Sequence, residues 1–188
     1  DSYDLTNGYK RFGLAVPPNI NFPSIAYGKI NSRSNISDHE IASLGFGYGL
    51  EASAIQLAMA FSVFANDGVL KGFQLVEEKN HNNPSQVISK HTAKLIMESL
   101  EKVIIDGTGT KAKHHSHRVA GKTDTSHKVS NGKYDKSKYI SSFIGIGPLE
   151  TKKYTILVTI DEPGLNRYSG GEVAAPVFKE IFDDLVSL

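Results

Sequence analysis

The sequence predicts an α+β fold in which an antiparallel sheet packs against helices. Three strand-like segments follow one another in the second half of the chain, at about Val119–Lys128, Tyr139–Ile146 and Tyr154–Ile160. Because only short turns join them, they should pair as an antiparallel meander. The pattern that follows, from about Val173 to Leu188, predicts a helix that buries one side against this sheet.

The closing helix separates apolar from charged residues. Its apolar stripe consists of Ala174, Val177, Phe178, Ile181, Phe182 and Leu185. We expect this whole stripe to be buried. Pro176 should lie in the first turn of the helix, where a missing N–H is tolerated.

The first half of the chain is predicted to contain mainly helices and turns. The helices are expected at about Tyr3–Phe12, after the capping-box pattern Ser37 to Glu40, at Ser53–Asn66, and from Ser89 to about Ile105. The third of these is apolar nearly all round and should be central and buried. Val69–Val76 is expected to be a short strand.

Length and composition narrow the possible functions. The 188 residues suffice for one domain or most of one, with 39% apolar and 22% charged residues. The 21 basic residues are scattered and matched by 20 acidic ones, so nucleic acid is not an expected partner. The longest apolar run, Ala54–Ala65, is too short to cross a bilayer. We expect the chain itself to be soluble, and it is compatible with a piece of something larger.

One tight cluster, within Arg118–His127, has the composition of a binding site. Lys122 is followed by Thr123 and Thr125 on an apolar strand, which can present one cation and two hydroxyl donors to an anion. The K-T-G triplet of serine penicillin-recognising enzymes has this form, but here Asp124 takes the third position.

Asp124 should share a face of the strand with Lys122, with the two Cα atoms roughly 7 Å apart. Three consequences stay open. Asp124 could pair with Lys122, could repel a substrate carboxylate, or could mark a site that is no longer under functional demand. We expect the chemistry at this site to be impaired.

Five sequence blocks carry a resemblance to a known family. They are Ser43–Gly49 running into Gln56-Leu57-Ala58, Gly107–Ala112, Val119–Thr123, Tyr139–Phe143, and Gly170-Gly171 through Ala174–Phe178. In this order they resemble the C-terminal half of the transpeptidase domain of class B penicillin-binding proteins, most closely the cell-division type. Residues 1–188 are accordingly expected to be the C-terminal part of that domain.

The resemblance implies a reaction for the parent protein. A serine attacks the D-Ala-D-Ala carbonyl of a peptidoglycan stem peptide, forms an acyl-enzyme, and passes the acyl group to an amine. β-Lactam antibiotics acylate the same serine. In the family the S-x-x-K and S-x-N motifs lie N-terminal to the segment that this chain resembles, and Ser85, for example, has Ile88 at its fourth position. The nucleophile is therefore expected to lie outside this chain, and the chain alone is expected to be inactive.

The resemblance also implies roles for individual residues. The Lys122 ammonium would attract the substrate carboxylate. The hydroxyls of Thr123 and Thr125 would donate hydrogen bonds to that carboxylate. The backbone N–H of Thr125 would be one of two oxyanion-hole donors.

A second group of residues would line the pocket. Tyr168, with Gly170 and Gly171 after it, falls in a loop that supplies aromatic side chains in the family. Ser169 stands where a second aromatic residue is often found, so this wall should be thinner here.

The implied setting is the periplasmic face of the bacterial inner membrane. Besides the stem peptide and β-lactams, the implied partners are the missing N-terminal half of the domain and cell-division proteins. Two rival functions stay open: a catalytically silent scaffold segment of a division complex, and a D,D-carboxypeptidase or β-lactamase that uses water.

No cofactor or metal is expected. His114, His115 and His117 crowd one polar segment, but without the spacing of a metal-binding helix or a nearby cysteine they should simply be solvated. The glycines at 45, 47 and 49 lack the preceding strand and acidic partner of a dinucleotide site.

Overall fold

The computed structural model describes residues 2–18, 23–30, 37–75, 84–130, 133–164 and 166–188. The elements in these ranges are α1 (Ser2–Arg11), α2 (Asp38–Gly45), α3 (Ala54–Ala65), β1 (Val69–Leu70), β2 (Ser85–Gln86), α4 (Lys90–Ile105), a 3-10 turn (Thr110–Ala112), β3 (Ala120–Ser130), β4 (Lys133–Gly147), β5 (Tyr154–Asp161) and α5 (Gly170–Ser187). The chain divides into two compact units, Asp1–Lys90 and His91–Leu188. No helix in the described ranges combines the length and apolarity that a bilayer crossing requires.

The second unit is built on the antiparallel sheet β3-β4-β5, with α5 packed against one face. Phe143 of β4 meets Phe178 of α5 with ring centroids 4.9 Å apart, and Phe178 stacks on Phe182 at 5.7 Å. All three rings are fully buried. Gly145 leaves the space that the Phe178 ring fills, because a Cβ there would lie 2.3 Å from the ring. The predicted α+β class and the antiparallel meander are confirmed.

The β3–β4 hairpin is longer than the sequence pattern indicates. β3 continues to Ser130 and β4 already begins at Lys133, six residues before the predicted Tyr139. The ladder shifts register between His127 and Lys128 and then closes with Ser130 opposite Lys133. The extra residues are mostly polar and exposed on both faces, so they lack the alternation on which the prediction depended. The predicted turn residues Asn131 and Gly132 lie outside the described residues.

The start of α5 corrects two predictions. The helix begins at Gly170 rather than Val173, so Pro176 is its seventh residue and lies beyond the first turn. Glycine is a poor helix former, which is why Gly170 and Gly171 did not suggest a helix. Burial of the whole stripe was also wrong: Val177 and Ile181 are 37% and 40% exposed within the described structure.

The first unit is organised around the buried amide of Gln56 in α3. Its Nε2 donates to the carbonyls of Gly13 (3.1 Å) and Val16 (2.9 Å), while its Oε1 accepts from the backbone N–H of Gly28 (2.9 Å). The same oxygen accepts from the N–H of Ser53 (3.1 Å), which completes a capping box at the start of α3. One side chain thus satisfies two carbonyls and two N–H groups.

Other predictions for the first unit had mixed outcomes. The capping box from Ser37 to Glu40 is confirmed. The predicted strand Val69–Val76 is reduced to Val69–Leu70, which pairs with β2, and Val76 lies outside the described residues. The prediction that α3 is buried all round was wrong: Phe61 and Phe64 are only partly buried and line an open apolar groove. Apolarity alone does not determine burial, because burial depends on what packs against the helix.

Candidate functional site

The cluster predicted from the sequence lies on an edge strand. Among the described strands β3 pairs only with β4, so the other side of its backbone faces no strand. Lys122 and Asp124 share one face of the sheet with their partners Ile144 and Ser142. Thr123 and Thr125 share the opposite face with Phe143 and Ser141, the face on which α5 packs.

Lys122 is exposed and turns back onto its own strand. Its Nζ donates to the carbonyl oxygen of Thr123 at 2.7 Å. Asp124 is also exposed, and in the part of the chain that the structure describes no ion pair joins it to Lys122. Of the alternatives that the sequence left open, pairing between these two residues is therefore not the arrangement seen. The Lys122 ammonium retains donors for another acceptor.

The Thr125 hydroxyl is held by the first turn of α5. The backbone N–H of Gly170 donates to Thr125 Oγ1 at 3.0 Å. Because this contact uses a lone pair of the hydroxyl oxygen, the hydroxyl proton stays available to donate elsewhere. The positive end of the α5 dipole lies at this oxygen and favours negative charge on an acceptor nearby.

The Thr123 hydroxyl has a partner that the sequence analysis missed. Thr108 Oγ1 lies 2.7 Å from Thr123 Oγ1, so one hydroxyl donates to the other and one proton stays free. Thr108 lies in the turn after α4, between two glycines whose added Cβ atoms would come within 3 Å of Val103 or Ile104. In the sequence this turn stood out only as part of the block Gly107–Ala112, with no role given to Thr108. A single hydroxyl residue between two glycines was the available signal.

Gly170 and Gly171 permit the close approach of α5 to the sheet. A Cβ at Gly170 would lie 2.2 Å from the Ser142 carbonyl oxygen and 2.4 Å from that of Asp124. A Cβ at Gly171 would lie 2.2 Å from the Thr108 carbonyl oxygen. Both glycines are therefore required by packing, and the contact between α5 and Thr125 depends on them.

Tyr168 belongs to a column of three rings beside this cluster. It stacks on Tyr139 with centroids 4.2 Å apart and an angle of 15°, and Tyr139 lies 4.7 Å from the His127 ring. The buried Ser141 hydroxyl donates to the Tyr168 carbonyl oxygen. Tyr168 is thus fixed at both its backbone and its ring, while 40% of it remains exposed. Tyr139 and His127 were not singled out from the sequence.

Ser169 caps α5 rather than extending the ring column. Its hydroxyl donates to a carboxylate oxygen of Glu172 at 2.8 Å, and this hydrogen bond lowers the pKa of Glu172. The Ser169 carbonyl oxygen accepts from the backbone N–H groups of Glu172 and Val173. Ser169 is therefore the N-cap residue of α5 through its backbone carbonyl, and its side chain makes no capping hydrogen bond to the helix backbone.

Comparisons with known proteins identify the family of the chain. The family model described as the penicillin binding protein transpeptidase domain matches residues 2–183. The chain belongs to this family. The predicted family is thereby confirmed, and the transpeptidase α+β fold with it.

The family members most similar to this chain include a curated relative and two solved structures. The probable peptidoglycan D,D-transpeptidase PenA of Neisseria flavescens is 35% identical over all of the chain and 46% of the relative. The apo transpeptidase domain of Burkholderia pseudomallei penicillin-binding protein 3 superimposes with a TM-score of 0.89 at 33% identity, over 100% of this chain and 57% of that one.

The second structure is a ligand complex. Penicillin-binding protein 3 of Mycobacterium tuberculosis, in complex with aztreonam, gives a TM-score of 0.87 at 26% identity, over 98% of this chain and 45% of that one. The chain thus spans about half the length of each of these three proteins.

Proposed function

We propose that this transpeptidase-domain chain forms the carboxylate-binding side of the active site of a peptidoglycan D,D-transpeptidase. The observation that carries the proposal is that Lys122, Thr123 and Thr125 follow one another on β3, which pairs only with β4 among the described strands, and that the start of α5 holds the Thr125 hydroxyl. One cation, two free hydroxyl protons and a helix N-terminus suit a carboxylate. The name of the Neisseria relative supplies the reaction class.

In this proposal each group has a separate task. Lys122 attracts the substrate carboxylate, and the Thr125 hydroxyl donates to it while its oxygen is held by Gly170 N–H. The backbone N–H of Thr125 stabilises the oxyanion that forms when a serine from another part of the protein attacks the carbonyl, a contribution of about 3–4 kcal/mol in acyl-transfer sites. The acyl group then passes from the serine to an amine.

β-Lactams are proposed as ligands of the same edge. They carry a carboxylate or sulfonate beside a reactive carbonyl, and a related structure is an aztreonam complex. The exposed side of Tyr168 lies next to the cluster and is positioned to contact such a ligand. We further propose that the parent protein works at the periplasmic face of the inner membrane, with peptidoglycan stem peptides as substrate and division proteins as partners.

One observation favours a second function. Asp124 places a carboxylate, without an ion-pair partner among the described residues, on the face that Lys122 occupies, and it would repel an anionic substrate. A parent protein with this departure could serve as a silent scaffold in a division complex.

The test is covalent labelling of the full-length parent protein by a fluorescent penicillin. We expect the parent protein to be labelled and residues 1–188 alone to stay unlabelled, because the nucleophile lies elsewhere. Thr125→Val should slow labelling by roughly tenfold or more, since it removes a charge-assisted hydrogen bond. Ser126→Ala, the exposed hydroxyl next to it on the other face, is the matched control and should label at the normal rate.

Absence of labelling in a folded parent protein would contradict the transpeptidase and favour the scaffold. Labelling of the isolated chain would contradict the assignment of the serine to another part of the protein.

A further inference from the structure

His114 is a buried histidine outside the proposed active site, so the expectation that it would be solvated is wrong for this residue. Its side chain is only 4% exposed. Its Nδ1 accepts two backbone hydrogen bonds, from the N–H of Ser116 at 3.0 Å and from that of His117 at 2.9 Å. An imidazole nitrogen that accepts must carry a lone pair, so the proton of the neutral ring is on Nε2. The structure therefore specifies both the protonation state and the tautomer.

Aromatic rings surround this imidazole. The His115 ring lies 4.4 Å away and the His117 ring 5.1 Å away, both at small interplanar angles. Phe182 of α5 meets the His114 ring edge-on at 5.4 Å. The segment 113–118 leads directly into β3. Its His114 and His117 rings both contact the Phe182 ring in the last turns of α5.

The charged groups that face His114 come from two elements. His115 and His117 belong to its own segment, and Lys179 and Asp183 belong to α5. Asp183 Oδ1 lies 3.2 Å from Nε2 but receives no well-aligned hydrogen bond from any described residue, while Oδ2 accepts from Lys179 at 2.6 Å. Of these four groups only Asp183 favours a charged His114, and the Asp183 carboxylate already accepts a hydrogen bond from Lys179.

A second proton on His114 would break the arrangement. It can bind only at Nδ1, where it would displace both backbone N–H donors and leave two partly buried donors without an acceptor. It would also place a charge beside His115 and His117. Burial, followed by the fields of His115, His117 and Lys179 against that of Asp183, lowers the pKa of His114.

We propose that His114 is an acid-sensitive latch, which holds the segment 113–118 against α5 while its ring is neutral and releases that segment when the ring is protonated. The direction of the pH dependence follows from the lowered pKa of His114 in the latched state. In the released segment the His114 ring has an ordinary pKa near 6.5, so the stabilisation of the latched segment is fully present above about pH 6.5. It is lost as the pH falls from there through the lower pKa of the latched state. The latch does not depend on the proposed transpeptidase activity.

Hydrogen exchange of two amides tests the latch. At about pH 7.5 the N–H groups of Ser116 and His117 should be protected. Their protection factors should fall by up to roughly tenfold per pH unit below about pH 6.5 and level off once the pH is below the pKa of His114 in the latched state. His114→Asn supplies an acceptor near the position of Nδ1 that does not titrate, so it should abolish this dependence. His91→Asn, an exposed histidine of the same unit, is the matched control and should leave the dependence unchanged.

A second measurement covers the case in which His114→Asn fails to fold. Imidazole nitrogen chemical shifts of the wild-type protein at neutral pH should show an unprotonated Nδ1 and a protonated Nε2. A protonated Nδ1, or protection of Ser116 and His117 that stays constant down to about pH 5, would overturn the proposal.

Discussion

The two units of the chain are held together by different kinds of interaction. The first unit is held by one buried amide, since Gln56 bonds four backbone groups from three separate segments. The second unit is held by three fully buried rings, Phe143, Phe178 and Phe182, packed over glycine. Hydrogen bonds depend on direction and partners, whereas ring packing depends on volume. The two units should therefore tolerate opposite kinds of substitution.

The largest loss in the free energy of unfolding is expected for Gln56→Leu. Leucine has a similar volume but leaves the N–H of Gly28 and the carbonyls of Gly13 and Val16 without this partner. Each buried group left unpaired costs about 1–3 kcal/mol, so the free energy of unfolding should fall by roughly 4 kcal/mol. Denaturant unfolding of the purified protein measures the loss.

The isosteric change Gln56→Glu helps to separate packing from hydrogen bonding. Glutamate retains the acceptors for Gly28 and Ser53 but offers no donors to the two carbonyls. If Gln56→Leu were neutral, apolar packing would hold the first unit as well, and the contrast between the units would disappear.

A smaller effect is expected for Gly145→Ala in the second unit. The added methyl would lie 2.3 and 2.4 Å from atoms of the Phe178 ring, which Phe143 and Phe182 prevent from moving away. Overpacking of this kind costs about 1–3 kcal/mol. Gly164→Ala is the matched control, because a Cβ there meets nothing within 4 Å. Equal stabilities for the two variants, measured by denaturant unfolding, would contradict the packing argument.

The same contrast explains which features could be predicted from sequence. Strand alternation and the Phe178 and Phe182 spacing are local patterns, so the sheet and α5 were predictable. Gln56 was noted only as part of a family block, because its four backbone partners are brought to it only by the fold. The partly buried Phe61 and Phe64 misled for the reverse reason: apolar residues indicate a buried face without identifying what covers it.

The candidate site was predictable to a similar extent. Lys122 and the two threonines were found because residue type and order are visible in the sequence. Thr108 and the Tyr139 ring were missed, because their places beside Thr123 and Tyr168 arise from contacts between elements distant in the chain. The glycines at the start of α5 were predicted as pocket residues, and the structure adds a packing requirement for both.

The smallest effect on stability, and the most informative one for function, is expected for Asp124→Gly. Asp124 lies on the sheet face opposite α5, is exposed, and makes no ion pair with Lys122 in the described part of the chain. Its removal should therefore leave the free energy of unfolding nearly unchanged, unlike the removal of a core group. The two faces of β3 therefore differ: the face with Asp124 is expected to contribute little to stability, whereas α5 packs on the other face.

The effect of Asp124 on ligand capture should be much larger. A carboxylate about 7 Å from a bound anion repels it by about 2 kcal/mol at an effective dielectric constant of about 20. In a full-length parent protein that carries the serine motifs, Asp124→Gly should speed β-lactam acylation by roughly tenfold or more at neutral pH. Asp124→Asn separates charge from bulk, because it removes the repulsion and retains the side chain. Second-order acylation rates that are equal for wild type, Asp124→Asn and Asp124→Gly would show that this carboxylate lies outside the path of the ligand, and that the departure from the family's glycine has no consequence for binding.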